Sequence, residues 1–283
     1  MQHFCLLPFW PPSQLRCFGG PSRRSSPTFV RAEADALRSY SVLILALDTT
    51  TRDGSVAVSR SDTVMAVVHG DGSRTHGERL PGEIERALTI AGIASRNLDL
   101  LAVASGPGAF TGLRIGLAAI QGLAMVLGVP VVGVSALDAL ACATWPGLDA
   151  SHDPRLVAWM DAQRDEVFSA DYATGTDARD FPWRQREPPV VGTPQSILAR
   201  LEHVRRSPLV FVGNGAQKYG AELETWSEGR AVVLHPPQAL APFIAFVGQR
   251  QAARGLAASP HALQPLYVRR PDAELERLRR SAP

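Results

Sequence analysis

The chain has 283 residues, 45% of them hydrophobic and 20% charged, the balance of a globular protein with room for two domains of ordinary size. Its 29 basic and 27 acidic residues leave a formal net charge of +2, too little to mark a dedicated nucleic-acid binder. No uninterrupted apolar run is long enough to span a bilayer, and Cys5, Cys17 and Cys142 lack pairing or metal spacing, which points to a reducing compartment.

Residues 1–41 stand apart, rich in proline, serine and arginine. Pro8, Pro11 and Pro12 interrupt their apolar part and the arginines come after it, which is the wrong order for a signal peptide. They read as a disordered extension or as a start placed too far upstream, with an organelle transit peptide as the alternative. Folded sequence begins near Val42. The run VLILALD reads as a buried strand delivering Asp48 to the turn Thr49-Thr50-Thr51-Arg52-Asp53-Gly54, and SVAVSR alternates as its return strand. A third strand is expected over 63–69 and a helix over 78–91, with Pro81 in its first turn. Leu80, Ile84 and Leu88 recur on that helix at helical spacing.

The centre of the chain is a strand over 100–104, a loop Ser105-Gly106-Pro107-Gly108-Ala109, and a proline-free helix over 110–127. A strand over 129–134 completes a βαβ unit. Gly112, Gly116, Ala119 and Gly122 lie inside the helix, where each glycine costs about 1 kcal/mol against alanine. A helix that keeps them needs its backbone close to its own sheet or to another helix. Ser135 caps a further helix over 136–144. The stretch 145–154, with two prolines and a glycine, marks a boundary.

Beyond it the pattern restarts. LVAWMDAQRDEVFSADY repeats the plan of LILALDTTTRDGSVAVS, a buried strand ending in an aspartate (here Asp161), a turn, and a return strand. Two related α/β lobes follow from this, over 42–149 and 150–283. Residues 174–189 form a polar, proline-rich excursion. A helix starts at Thr193-Pro194 and runs to Arg206. PLVFVGNG gives a strand and glycine turn, 238–254 a helix, ALQPLYVRRP an extended closing segment, and the tail beyond 271 a surface helix.

The glycine loop has two readings. A strand–loop–helix junction points backbone N–H groups at an anion, or the small residues simply allow tight packing. The spacing Gly106, Gly108, Gly112 is one residue too long for a dinucleotide fingerprint, and Lys218, the only lysine, does not fit a P-loop. Asp48 and Asp161 at strand ends either hold a metal-phosphate or satisfy turn amides. His76 is a lone histidine before a helix. No H-x-x-x-H or H-E-x-x-H spacing and no G-x-S-x-G elbow occur, so neither a helix-borne metal site nor a peptidase is expected. Arg269, Arg270, Arg277, Arg279 and Arg280 either meet RNA phosphates or form a solvated tail.

The run GPGAFTGLRIG resembles the TsaB (YeaZ) family signature GPGSFTGLRIG, with Ala109 alone departing. LALDTTT, THGERLPGEIERAL, GVSALDALA, MDAQRDEVFSADY, FVGNGA and PLYVRRPDAE resemble other family segments in the same order, so the likeness covers about 42–274. It implies an α/β, two-lobed actin-like or Hsp70-like ATPase fold, with duplicated mixed sheets flanked by helices around a cleft. It further implies a subunit, not an enzyme on its own, of the bacterial machinery that makes threonylcarbamoyladenosine in tRNAs reading A-starting codons. The expected partners are a TsaD-like catalytic paralogue, a TsaE-like ATPase and a second copy of the chain. tRNA would be met indirectly, in the cytoplasm, without a membrane.

The likeness places partner docking on the two helices of the first lobe. The residues carried over are Leu80, Ile84, Leu88, Phe110, Thr111, Gly112, Arg114, Ile115, Gly116, Ala119 and Gly122. The small residues would then let helices of two subunits meet closely, and a change such as Gly116→Arg would block docking while sparing the fold. Thr50 stands where active members of the fold carry a glycine. Asp48, Thr49, Thr50, Gly106, Gly108 and Asp161 thus mark a vestigial nucleotide site. No metal and no catalytic residue are implied, and ATP with Mg only inside the complex. The alternative is an independent ATPase or kinase-like enzyme of the same fold.

Overall fold

The computed structural model describes residues 41–144, 154–174, 183–205 and 208–269. The expectations for 1–40, for most of the 145–154 boundary and for the tail beyond 271 lie outside the described residues.

The first lobe holds β1 (Leu43–Asp48), β2 (Ser55–Arg60), β3 (Thr63–His69), α1 (His76–Ala91), β4 (Leu100–Gly106), α2 (Phe110–Leu127), β5 (Val131–Ser135) and α3 (Ala136–Thr144). Its sheet has the order β3-β2-β1-β4-β5. β1 pairs antiparallel with β2 and parallel with β4. β1 is central and buried along its whole length, which is why LILAL is unbroken by polar residues. The parallel pairs need crossovers, and α2 is the one between β4 and β5.

The second half carries β6 (Arg155–Asp161), β7 (Val167–Thr174), β8 (Trp183–Gln185), β9 (Val190–Gly192), α4 (Pro194–Leu201), β10 (Leu209–Val212), α5 (Asn214–Lys218), α6 (Gly220–Ser227), β11 (Val232–Leu234) and α7 (Ala241–Ala253). Its sheet runs β11-β10-β6-β7-β8, with β9 also on β7. β6 pairs antiparallel with β7 and parallel with β10, as β1 does with β2 and β4. Each lobe thus builds its sheet on the same hairpin-plus-parallel plan. This is the two-lobed arrangement that the repeated hairpin motif implies, with the duplicated mixed sheets of the actin-like fold that the family likeness implies.

α7 departs from the division at residue 150. It comes from the second half but lies on β1, β2, β4 and β5. Ile244, Ala245 and Val247 join Ile44, Ala102 and Val134 in a core that continues into the second lobe through Ala158 and Val212. Leu263 likewise inserts into the core beneath α1 and α2. The last described stretch therefore belongs by packing to the first lobe, because among the described residues α7 is the longest helix on the inner face of that sheet.

Two other expectations change. α1 begins at His76, not 78, because Thr75 closes a capping box with Glu78. Pro81 is then the sixth helical residue, beyond the first turn. It is tolerated because Gly77, Pro81 and Gly82 are all exposed and the unpaired carbonyl can turn to water. α2, with 18 residues, meets by length and composition alone the minimum for a membrane-crossing helix. Counting unbroken apolar runs missed this because Thr111, Arg114 and Gln121 interrupt them. Its face through Leu113, Leu117, Ile120 and Ala124 is buried.

Candidate functional site

A cleft of about 1000 Å³ opens between the lobes. One wall is the β1–β2 turn and residues 72–76, the other the β6–β7 turn with Asn214. The glycine loop, the start of α2 and residues 266–269 complete it.

The close approaches that the glycines permit are made by the chain itself. A Cβ on Gly108 would sit 2.5 Å from Thr50 Cβ, and Ala109 N–H donates to Thr50 O at 2.9 Å. Gly106, at φ 132°, is crossed by the Leu266 carbonyl, and Leu266 N–H donates to Ser105 O at 2.7 Å. A Cβ on Gly112 would lie 2.2 Å from Thr49 O, and one on Gly116 2.2 Å from Thr49 Oγ1. Of the two readings of the loop, tight packing is the one these contacts carry.

Asp48 is buried and does not line the cleft. Its Oδ1 accepts from the Thr50 N–H at 2.9 Å and the Thr50 hydroxyl at 2.6 Å. Burial raises its carboxyl above the usual range, against the lowering pull of those two bonds. Thr49 and Gly106 are also buried behind the surface, whereas Thr50, Gly108 and Asp161 face the cleft. Asp161 accepts from the Gln163 N–H and from Lys218 Nζ, at 3.0 and 3.2 Å. Gln163, Arg164 and Asp165 after it all have positive φ, near 60°, 55° and 56°. A Mg-phosphate does not fit the first loop: the carboxylate that would meet it is turned away, and Thr50 and Leu266 occupy the backbone approach. Among the described residues no group of three His, Cys, Asp or Glu could hold a metal.

His76 and Arg79 form a network that composition and spacing did not reveal. Arg79 only donates, so His76 Nδ1 accepts from it at 2.9 Å and Nε2–H donates to Thr51 O at 2.9 Å. Arg79 also donates to Arg52 O and pairs with Glu83 one helical turn away. Arg79 and Glu83 are buried and His76 is half-buried, and the bonds from His76 and Arg79 fasten the β1–β2 turn to α1. The signal was an Arg and Glu four apart on the apolar side of a helix.

The carried-over docking residues separate into two faces. Leu80 is 2% exposed and belongs to the core; Ile84, Leu88, Ile115 and Ala119 pack against the same core. Gly112 and Gly116 face Thr49, so their smallness serves this chain's own sheet. Gly116→Arg would therefore damage the fold, contrary to the expectation above. Phe110, Thr111, Arg114 and Gly122 point outward, and a Cβ on Gly122 meets nothing within 4 Å. Ala118, Met125, Val126 and, on α1, Ile90 are exposed as well and were not among the carried-over residues. The signal was present: positions 111, 114, 118, 122 and 125 keep helical spacing opposite the buried 113, 117, 120 and 124.

Comparison with known proteins adds to this geometry. Residues 66–182 match the family model described as TsaD, tRNA N6-adenosine threonylcarbamoyltransferase. The chain is 30% identical over 230 residues to the tRNA threonylcarbamoyladenosine biosynthesis protein TsaB of Escherichia coli K12, covering 80% of this chain and 94% of that one. To the TsaB of Bacillus subtilis 168 it is 28% identical over 239 residues, covering 82% and 96%. A Pseudomonas aeruginosa crystal structure, described as an uncharacterized protein similar to peptidase YeaZ, superposes with TM-score 0.65 at 27% identity, over 81% of this chain and 100% of that one. YeaZ from Pseudomonas aeruginosa gives 0.59 at 26% identity, over 80% and 99%. With the duplicated hairpins, the glycine run and near-full-length identity all in agreement, the chain belongs to the TsaB (YeaZ) family and serves tRNA threonylcarbamoyladenosine biosynthesis.

Proposed function

We propose that this protein is a scaffold subunit that docks a TsaD-like catalytic paralogue through the outer stripe of α2 and the C-terminal end of α1. The observation that carries the reading is a cluster of bare apolar side chains on those helices: Val126 is 84% exposed, Met125 60% and Ile90 58%. Gly122 and Ala118 on the same stripe leave room for a partner helix to approach. A second copy of the chain would use the same stripe, so homodimer and heterodimer compete, and a TsaE-like ATPase joins the paired assembly. ATP and Mg act within that complex. Threonylcarbamoyl transfer to adenosine in tRNAs reading A-starting codons is the partner's chemistry, and the cytoplasm is its place. The buried Asp48 and the closed glycine loop weigh against the alternative of an independent ATPase.

The test is calorimetry of the full chain with its own organism's TsaD-like protein, beside Val126→Asp and Gly122→Arg. Both positions are exposed, so the fold is kept. Loss of binding in both variants is the expected result; binding as strong as wild type in both would overturn the assignment of this face.

A further inference from the structure

We propose that the interlobe cleft binds a single-stranded RNA segment, its phosphates met by the arginines of the walls and one base by the aromatic edge at Phe110 and Tyr267. The whole chain is nearly neutral, yet Arg52, Arg74, Arg164 and Arg269 line the cleft against the single carboxylate of Asp161. That carboxylate is already met by Lys218. Arg269 is offset by Glu166. Arg52 donates through Nε to the Gly72 carbonyl at 2.6 Å, a contact that orients the guanidinium without cancelling its charge. The Arg74 side chain makes no hydrogen bond or ion pair among the described residues; its backbone amide donates to the Asp71 carbonyl, and it sits on an exposed loop near the carboxylates of Asp71 and Glu78.

The aromatic edge supplies a different chemistry. Phe110 and Tyr267 stack with ring centroids 5.6 Å apart at 29°, and both remain more than 40% exposed. The Arg114 guanidinium lies 3.9 Å above the Phe110 ring and donates to the Tyr267 hydroxyl at 3.3 Å. Exposed rings and guanidinium planes beside a positive groove are what base stacking on single strands uses. A free nucleotide is the poorer match, because the floor where a triphosphate would settle is filled by Thr50 and Leu266. The choice of RNA rests on the family's tRNA role and not on the docking stripe. Phe110 and Met125 are about 22 Å apart along α2, so the two surfaces can be tested separately.

The experiment is fluorescence anisotropy of the full-length protein with a labelled RNA stem-loop, titrated across salt. Three or more phosphate contacts give a log–log salt slope of about −2 or steeper. Arg74→Ala should make the slope shallower by about 0.7, and Tyr267→Ala should weaken binding on the order of tenfold with the slope kept. Absence of salt-dependent binding, or an unchanged slope in Arg74→Ala, would overturn the proposal. So would displacement of the RNA by polyglutamate at equal charge, which would assign the cleft to an acidic peptide. Val126→Asp should lose the paralogue and keep the RNA slope; loss of both would overturn the separation of the sites. RNA binding by a wild-type chain that fails to dock the paralogue would leave this inference standing and remove the docking one.

Discussion

One helix offers the same substitution with opposite expected signs. In Gly112→Ala the new Cβ would lie 2.2 Å from the Thr49 carbonyl oxygen, roughly 1 Å inside contact distance. The obstacle is backbone of the turn after β1, held by Ala109 N–H on Thr50 O and by Thr50 on Asp48, so it has nowhere to rotate. Overpacking of this kind costs about 1–3 kcal/mol. The gain in helix propensity offsets about 1 kcal/mol of that. The net expectation is a loss of up to about 2 kcal/mol, a fall in melting temperature of up to about 8 °C for a chain of this size. In Gly122→Ala nothing lies within 4 Å of the new Cβ, so only the propensity remains and the melting temperature should rise by about 2–4 °C. Thermal unfolding followed by circular dichroism reads both. A Gly112→Ala variant stabilised as much as Gly122→Ala would show that the α2–β1 contact is loose, and the reading of the inner glycines would fall with it.

Three further expectations concern buried groups. Asp48 has its pKa raised by burial, so its contribution to stability is fully present below the ordinary carboxylate pKa and is lost as pH rises through the folded value. Asp48→Asn keeps an acceptor for Thr50, and its urea midpoint relative to wild type should improve between about pH 4 and pH 7; parallel curves would refute this. Tyr172→Phe removes the 2.7 Å donation from a fully buried ring to the half-buried Asp138 across the lobes. It should lower stability by about 1–3 kcal/mol in urea unfolding, whereas a change within error would mean Asp138 finds another donor. Arg79→Met leaves Glu83 buried and unpaired at a cost of about 3–5 kcal/mol, and adding Glu83→Leu should recover most of it. A double variant no better than the single would assign the cost to the lost bonds on the β1–β2 turn.

The order of strands and helices was legible because buried strands such as LILAL and LVAWM differ sharply from the turns that follow them. The repeated hairpin showed the duplication for the same reason. Glycine spacing correctly announced a close approach at 106, 108, 112 and 116, but it carries no information about what approaches. The sequence is equally compatible with phosphate, partner helix or own sheet, and only the positions of Thr49, Thr50 and Leu266 decide. The docking face failed in part for a related reason. Leu80, Ile84 and Leu88 have the spacing of an apolar stripe, and such a stripe faces the core before it faces a partner. The cleft charge was invisible because its arginines come from four separate stretches between 52 and 269 and meet only after folding.

The position of α7 has a consequence for how the chain is made. The amide of Ala241 donates to the Ser55 hydroxyl across 186 residues of sequence, and the helix it opens covers one face of a sheet whose strands all precede residue 136. A nascent chain halted on the ribosome anywhere before residue 241 would carry that sheet with Ile44, Ala57 and Ala102 bare on one side. The first lobe to be synthesised is therefore the last to close. Its completion waits on nearly the whole polypeptide, a long-range contact of the kind that slows folding.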